Sequence, residues 1–185
     1  MVRPERFSNL PEYAFPRLRR LLAPYEPGGD PFVMTIGEPQ HPFPAWVPDI
    51  VAEASASWGK YPPNDGSEPL LQAISGWVGR RFHVEIDPMT QVLALNGTRE
   101  GLFAAAVALC PERKHDQQPI ILIPNPFYQV YAVAAVTAGA DPVFLNATSD
   151  TGFLPDFDAL DAETLDRTAI AYICTPSNPQ GAIAS

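Results

Sequence analysis

Apolar residues recur at helical spacing through the first half of the chain and in short unbroken runs through the second. Phe15 to Leu22 forms a short helical stretch, closed by Pro24 and the breaker "PGGDP". "FVMTIG", Phe32–Gly37, reads as a strand and "EPQHPFP" as a rigid loop. Between Pro48 and Trp58, the residues Ile50, Val51, Ala54 and Trp58 share a helical face. After the loop "GKYPPNDGS", the stripe Leu70, Leu71, Ile74, Trp77, Val78 and Phe82 predicts a helix over 67–82. Ser67 is placed to cap it, and Pro69 is tolerated in its first turn.

Beyond residue 90 the rhythm alternates. Strands are predicted at 91–95, 119–123, 142–146 and 169–174. Between them lie a helix over 98–110, with Leu102, Phe103, Ala106, Val107 and Cys110 on one side, and a helix over 126–139 closed by Gly139. A short helix is expected to open near Asp158. Continuous apolar strands alternating with helices predict an α/β domain with a mainly parallel sheet covered on both faces. The expected division is an arm with part of a small domain over 1–59, and the first portion of a large domain over 60–185. An open sheet ended after four strands would leave an apolar edge bare, so a further C-terminal part is expected after Ser185.

Composition narrows the function. The 185 residues carry a net charge of −9, which argues against non-specific binding of nucleic acid or anionic membranes. No basic segment or helix-turn-helix pattern precedes residue 32. The longest apolar stretches, near 102–110 and 130–140, are too short to span a bilayer. No apolar core follows Arg3 and Arg6, so a secretory signal is not expected and the cytoplasm is the default compartment. Cys110 and Cys174 read as free thiols, and no metal-ligand spacing occurs. His41, His83 and His115 stand without partners and are assigned no role.

Five stretches carry candidate chemistry. In "LNGTREG" a strand, an Asn96-Gly97 turn and a helix opening at Thr98 make an anion site, because first-turn amides lack helical acceptors and the positive helix end favours phosphate. In "PNPFYQVY" two prolines stiffen a strand end and turn Phe127 or Tyr128 outward, where an aromatic ring can stack on a flat heterocycle. In "PSNPQG" the side chain of Asn178, beyond a strand end, can donate to a phenolate oxygen. "TIGEP" exposes Gly37, whose amide can meet a carboxylate, and "KYPPNDG" places Tyr61 in a loop. Taken singly, each also reads as an ordinary turn or a packed aromatic.

Jointly, "IGEP", "KYPPNDG", "NGTREGLF", "PNPFYQVY" and "PSNPQG", in this order and spacing, resemble the class I aminotransferases among the fold-type I pyridoxal-phosphate enzymes. The runs "IGEPQHPFP", "NGTREGLFA", "PNPFYQVYAVAAVTAGA" and "GFLPDFDAL" look closest to the bacterial subgroup acting on N-succinyl-L,L-diaminopimelate in lysine biosynthesis. The resemblance implies that pyridoxal 5'-phosphate is the cofactor and that the phosphate meets Gly97 and the amides of Thr98 and Arg99. It further implies that Tyr128 stacks on the pyridine ring and Asn178 bonds the phenolic oxygen. Tyr61 then reaches the phosphate of the other subunit of a homodimer, and Gly37 contacts the substrate α-carboxylate. Amino acids and 2-oxo acids are the implied substrates.

The resemblance also implies three groups that lie past "PSNPQG" in this family: the Schiff-base lysine, an aspartate facing the pyridine nitrogen and an arginine for the α-carboxylate. The only two lysines, Lys60 and Lys114, match none of these places, so no catalytic residue is assigned and the 185-residue segment is expected to be inactive alone. Arg17, Arg19 and Arg20 are candidates for a distal carboxylate, against the plainer reading of a solvated basic face. Two alternatives stay open: another class I aminotransferase or a β-eliminating C–S lyase on the same scaffold, and a non-catalytic cofactor-sensing domain.

Overall fold

The computed structural model describes residues 5–8, 12–32, 34, 36–39 and 41–184. Its helices are α1 (Ala14–Leu22), α2 (Val47–Glu53), α3 (Glu68–Phe82), α4 (Thr98–Leu109), α5 (Gln129–Thr137) and α6 (Ala162–Arg167). Its strands are β1 (Ile120–Asn125), β2 (Asp141–Asn146) and β3 (Thr168–Ala171). The chain forms two compact units, Met1–Leu22 with Leu95–Ser185, and Ala23–Ala94.

In the first unit the strands lie in the order β2-β1-β3, and both pairs are parallel. The strand β1 is apolar along nearly its whole length because both of its faces are covered. Ile121 and Ile123 meet Ala106 of α4 and Tyr131, Ala132, Ala134 and Ala135 of α5. Ile120 and Leu122 point the other way, towards Leu145, Val143 and Leu160. Ile121 and Ile123 are both 0 % exposed, so each contributes roughly 1.5–3 kcal/mol by leaving water. The helix α5 is rich in alanine where it meets the sheet, and the small side chains let it lie close. Gly139 takes φ +80 just past the end of α5, and the amide of Ala140 then closes the helix on the Ala135 carbonyl at 2.9 Å.

The amino-terminal ends of the strands are tied by long cations. Arg167 donates to the Gln118 carbonyl at 3.0 Å and to the Asp141 carboxylate at 2.5 Å. Lys114 Nζ donates to the Thr168 carbonyl at 2.5 Å.

In the second unit α3 follows Ser67, with Pro69 in the first turn, and stops at His83, which adopts φ 57. Ser75 fastens α3 to the following segment through the Ile86 carbonyl at 2.7 Å. The helix expected over 48–58 is α2 followed by a 3-10 turn over Ala54–Ser57.

Several expectations are corrected. Residues 91–95 form no strand, and Leu93 is 66 % exposed. A strand exists only as one side of a ladder; β1 is already paired on both sides, and no described strand lies along 91–95. The described residues of the Phe32–Gly37 run are likewise in no strand, while Val33 and Thr35 fall outside the described residues. No helix forms over 126–128: Tyr128 is extended, and α5 begins only at Gln129. No helix opens at Asp158. The last helix instead starts at Ala162, where the Asp161 carboxylate accepts from the Thr164 amide at 2.7 Å.

Because Ile121 is sealed between the sheet and both helices, Ile121→Ala is expected to lower unfolding stability by about 2–5 kcal/mol in urea denaturation. A loss comparable to that of an exposed substitution such as Leu109→Ala would contradict this packing.

Candidate functional site

Parallel strands deliver their carboxyl-terminal ends to one edge of the sheet, and the candidate residues of the first unit gather there. From β1 the chain passes Asn125, whose side-chain amide donates to the Asn146 side chain at the end of β2 at 2.7 Å. It then runs through Pro126 and Phe127 to Tyr128, the extended residue before α5. Phe127 packs inward on Phe144 with ring centroids 4.9 Å apart. That leaves Tyr128, at 39 % exposure, as the ring facing outward.

The amino end of α4 lies against this tyrosine. Gly97 precedes the helix with φ 133 and ψ 149, a conformation open in practice to glycine alone. The first amide to find a helical acceptor is that of Gly101, bonded to the Gly97 carbonyl at 3.2 Å. The amides of Thr98, Arg99 and Glu100 come before it, and no side chain caps the helix. Arg99 Nε donates to the Tyr128 hydroxyl at 2.5 Å, and its guanidinium carbon lies 5.5 Å from the centre of the Tyr128 ring. The hydrogen bond to Tyr128, with a lesser influence of Tyr13, holds the Arg99 guanidinium above its ordinary range, and an arginine is a permanent cation in any case. Tyr13, Arg99, Tyr128, Gln129, Val130 and Val133 line a shallow open hollow.

The arrangement fits a phosphate carried on a flat ring. The first-turn amides and a fixed cation suit the anion, and a half-exposed aromatic one hydrogen bond away suits the ring. Past β3, the amide of Tyr172 extends the pairing to the Leu122 carbonyl at 3.0 Å before the chain turns into "CTPSNPQG". That loop closes on itself: the Ser177 amide donates to the Ala182 carbonyl at 2.7 Å, and the Ala182 amide donates to Ser177 Oγ at 3.0 Å. Asn178 sits exposed within it, beyond the same end of the sheet.

The other candidates lie elsewhere in the chain. Tyr61 and Gly37 belong to the second unit, and both are exposed. Trp58, Gly59, Lys60 and Tyr61 line a small hollow there. Lys114 is engaged at the start of β3, the end of the sheet opposite Tyr128. Arg20 pairs with Glu12 on the surface, and Arg17 and Arg19 belong to the same helix. Cys110 and Cys174 are both free thiols. Among the described residues no cluster of His, Cys, Asp and Glu could hold a metal ion, and no helix is long and apolar enough to cross a membrane. Tyr13 was not foreseen as part of the site: an isolated tyrosine in an amino-terminal arm carries no motif, and only folding brings it to Arg99.

A family model described as aminotransferase class I and II matches residues 30–185. The LL-diaminopimelate aminotransferase of Desulforudis audaxviator is 37% identical over 191 residues, covering 100% of this chain and 46% of the relative. That of Moorella thermoacetica is 35% identical, with 100% and 47% covered. Among solved structures, an aminotransferase from Neisseria meningitidis superposes with a TM-score of 0.86 at 32% identity, over 96% of this chain and 45% of the other. The N-succinyldiaminopimelate aminotransferase of Mycobacterium tuberculosis superposes with a TM-score of 0.65 at 33% identity, over 81% and 38%. The chain thus spans about half the length of the curated relatives it matches.

An alanine at Gly97 would meet no atom within 4 Å, so its cost lies in the backbone conformation alone. Gly97→Ala is expected to lower stability by about 1–3 kcal/mol, read by denaturant titration. A neutral result would show that the turn into α4 does not need this conformation.

Proposed function

The chain belongs to the class I and II aminotransferases, whose cofactor is pyridoxal 5'-phosphate, and we propose that it forms the amino-terminal part of a fold-type I transaminase acting on a diaminopimelate derivative. The observation that carries the reading is the Arg99–Tyr128 bond, which fixes an outward aromatic ring beside the open amides of α4. In this proposal the amides of Thr98 and Arg99 hold the cofactor phosphate, and Gly97 lets the backbone approach it. Tyr128 covers one face of the pyridine ring, and the Asn178 amide donates to its phenolic oxygen. Tyr61 reaches the phosphate of a second subunit in a homodimer, and the Gly37 backbone receives the substrate α-carboxylate. The division into an arm with part of a small domain over 1–59 and a large domain from residue 60 belongs to the same reading, as does a cytoplasmic location.

When bound, the cofactor supplies a carbonyl that carries the amino group and a ring that takes up electron density. The residues of this chain bind, orient and desolvate it. The covalent lysine, the partner of the pyridine nitrogen and the α-carboxylate arginine are assigned to sequence beyond Ser185. The parent reaction is the reversible transfer of an amino group from glutamate to N-succinyl-2-amino-6-oxopimelate. The name of the M. tuberculosis structure supports that substrate. A second reading, direct action on LL-diaminopimelate, is favoured by the names carried by the sequence relatives.

Assays of the full-length protein with 2-oxoglutarate separate the two readings. Higher kcat/KM with N-succinyl-diaminopimelate is the expected result. Higher kcat/KM with free LL-diaminopimelate moves the assignment to the second reading, and preference for aspartate, tyrosine or alanine overturns both. Tyr128→Ala is expected to weaken cofactor binding by about 5- to 100-fold, the scale of losing one aromatic stacking partner. The 185-residue segment alone should show no turnover. Borohydride reduction with pyridoxal phosphate should label it only sparsely, because several members of a cooperating set are missing together. Stoichiometric labelling of Lys60 or Lys114 accompanied by turnover would contradict this.

A further inference from the structure

Resting on the cofactor site just proposed, we infer that Tyr131 and Tyr172 are positioning residues that fix the Tyr128 ring against the amino end of α4. The two side chains are 7 % and 8 % exposed, so they are placed to act on a ligand through a neighbour. Tyr131 and Tyr172 stack with centroids 4.2 Å apart and planes inclined by 17°. Tyr131 then meets Tyr128 edge-on, at 5.7 Å and 90°.

At the far side of the stack, the Tyr172 hydroxyl donates to the Leu102 carbonyl of α4 at 2.8 Å. Leu102 lies three residues after Arg99, on the same side of that helix. Arg99 returns to the Tyr128 hydroxyl at 2.5 Å. The contacts therefore close a circuit: Tyr128, Tyr131, Tyr172, Leu102, Arg99 and back to Tyr128. The circuit joins the start of α5, the residue following β3 and the first turns of α4. Phosphate contact and ring contact sit on α4 and on the linker before α5, and their separation must match the fixed length of one ligand. A closed circuit of three aromatic rings, the Leu102 carbonyl and Arg99 holds that separation, where a simple apolar contact would let the elements slide. Aromatic packing alone would have been satisfied by phenylalanine at residue 172; the hydroxyl is used to reach across to α4.

A double-mutant cycle in the full-length protein separates this role from ordinary core packing. The probe is pyridoxal 5'-phosphate, read by its dissociation constant and by the visible circular dichroism of the bound ring. Tyr131→Leu is expected to weaken binding about tenfold when Tyr128 is present and less than about twofold in the Tyr128→Ala background. Tyr131→Phe keeps the stack and should stay within about twofold of the parent protein. Tyr172→Phe keeps the core volume and removes only the tether. It should weaken binding about threefold and change the visible dichroism, with neither effect in the Tyr128→Ala background. Equal factors in both backgrounds, or unchanged affinity and dichroism in folded Tyr172→Phe, would overturn the inference while leaving the cofactor site intact. Absence of cofactor binding by the unsubstituted protein would overturn the cofactor reading itself, and the inference with it.

Discussion

The strand β1 is paired on both sides, and the site takes its place from that pairing. Six apolar or turn-forming residues, "IILIPN", run in register with β2 from Ile120 opposite Asp141 to Asn125 opposite Asn146. The β3 strand runs parallel along the other side. Parallel pairing sends every connection back to the amino-terminal end, so every strand arrives at the carboxyl-terminal end with a loop to spare. The loop after β1 becomes the Tyr128 linker, and the loop after β3 carries Asn178. The Arg99–Tyr128 bond then draws the open end of α4 to the same place, although no described strand leads into α4.

Much of this was legible in the residues, for reasons that differ from place to place. A run such as "PIILIP", short, apolar throughout and bounded by prolines, suits a strand covered on both faces, and it is the central strand. The "NG" before Thr98 announced a turn that needs glycine, and Gly97 takes φ 133 there. The run "QVLAL" shows the limit: its apolar character is real, but a strand needs a partner, and the partner is not encoded in the run itself. The last helix, expected to open near Asp158, opens instead at Ala162, since an aspartate marks a turn as readily as a helix start. Only Asp161 begins the α6 helix, while Asp156 accepts from the Ala159 amide in a turn.

The site shows the same division. Backbone-based elements, the amides of α4 and the exposed linker at Tyr128, follow from local sequence. Contacts made by long side chains do not. Tyr13, Arg99 and Tyr128 come from three distant stretches, and no spacing rule connects them. Tyr131, three residues after Tyr128, is buried as core packing requires. What the sequence could not express is the geometry of its contacts, stacked on one tyrosine and edge-on to another. The net charge of −9 likewise says nothing of the local field, where Arg99 is a cation held by the Tyr128 phenol at an open helix end.

The central claim is that one ligand bridges the amino end of α4 and the face of Tyr128. A crystal structure of the full-length protein with pyridoxal 5'-phosphate tests it directly. The account predicts the phosphate within hydrogen-bond reach of the Thr98 and Arg99 amides and the pyridine ring stacked on Tyr128, with the Arg99–Tyr128 bond retained. A phosphate bound away from α4, or a ring that does not touch Tyr128, would contradict it.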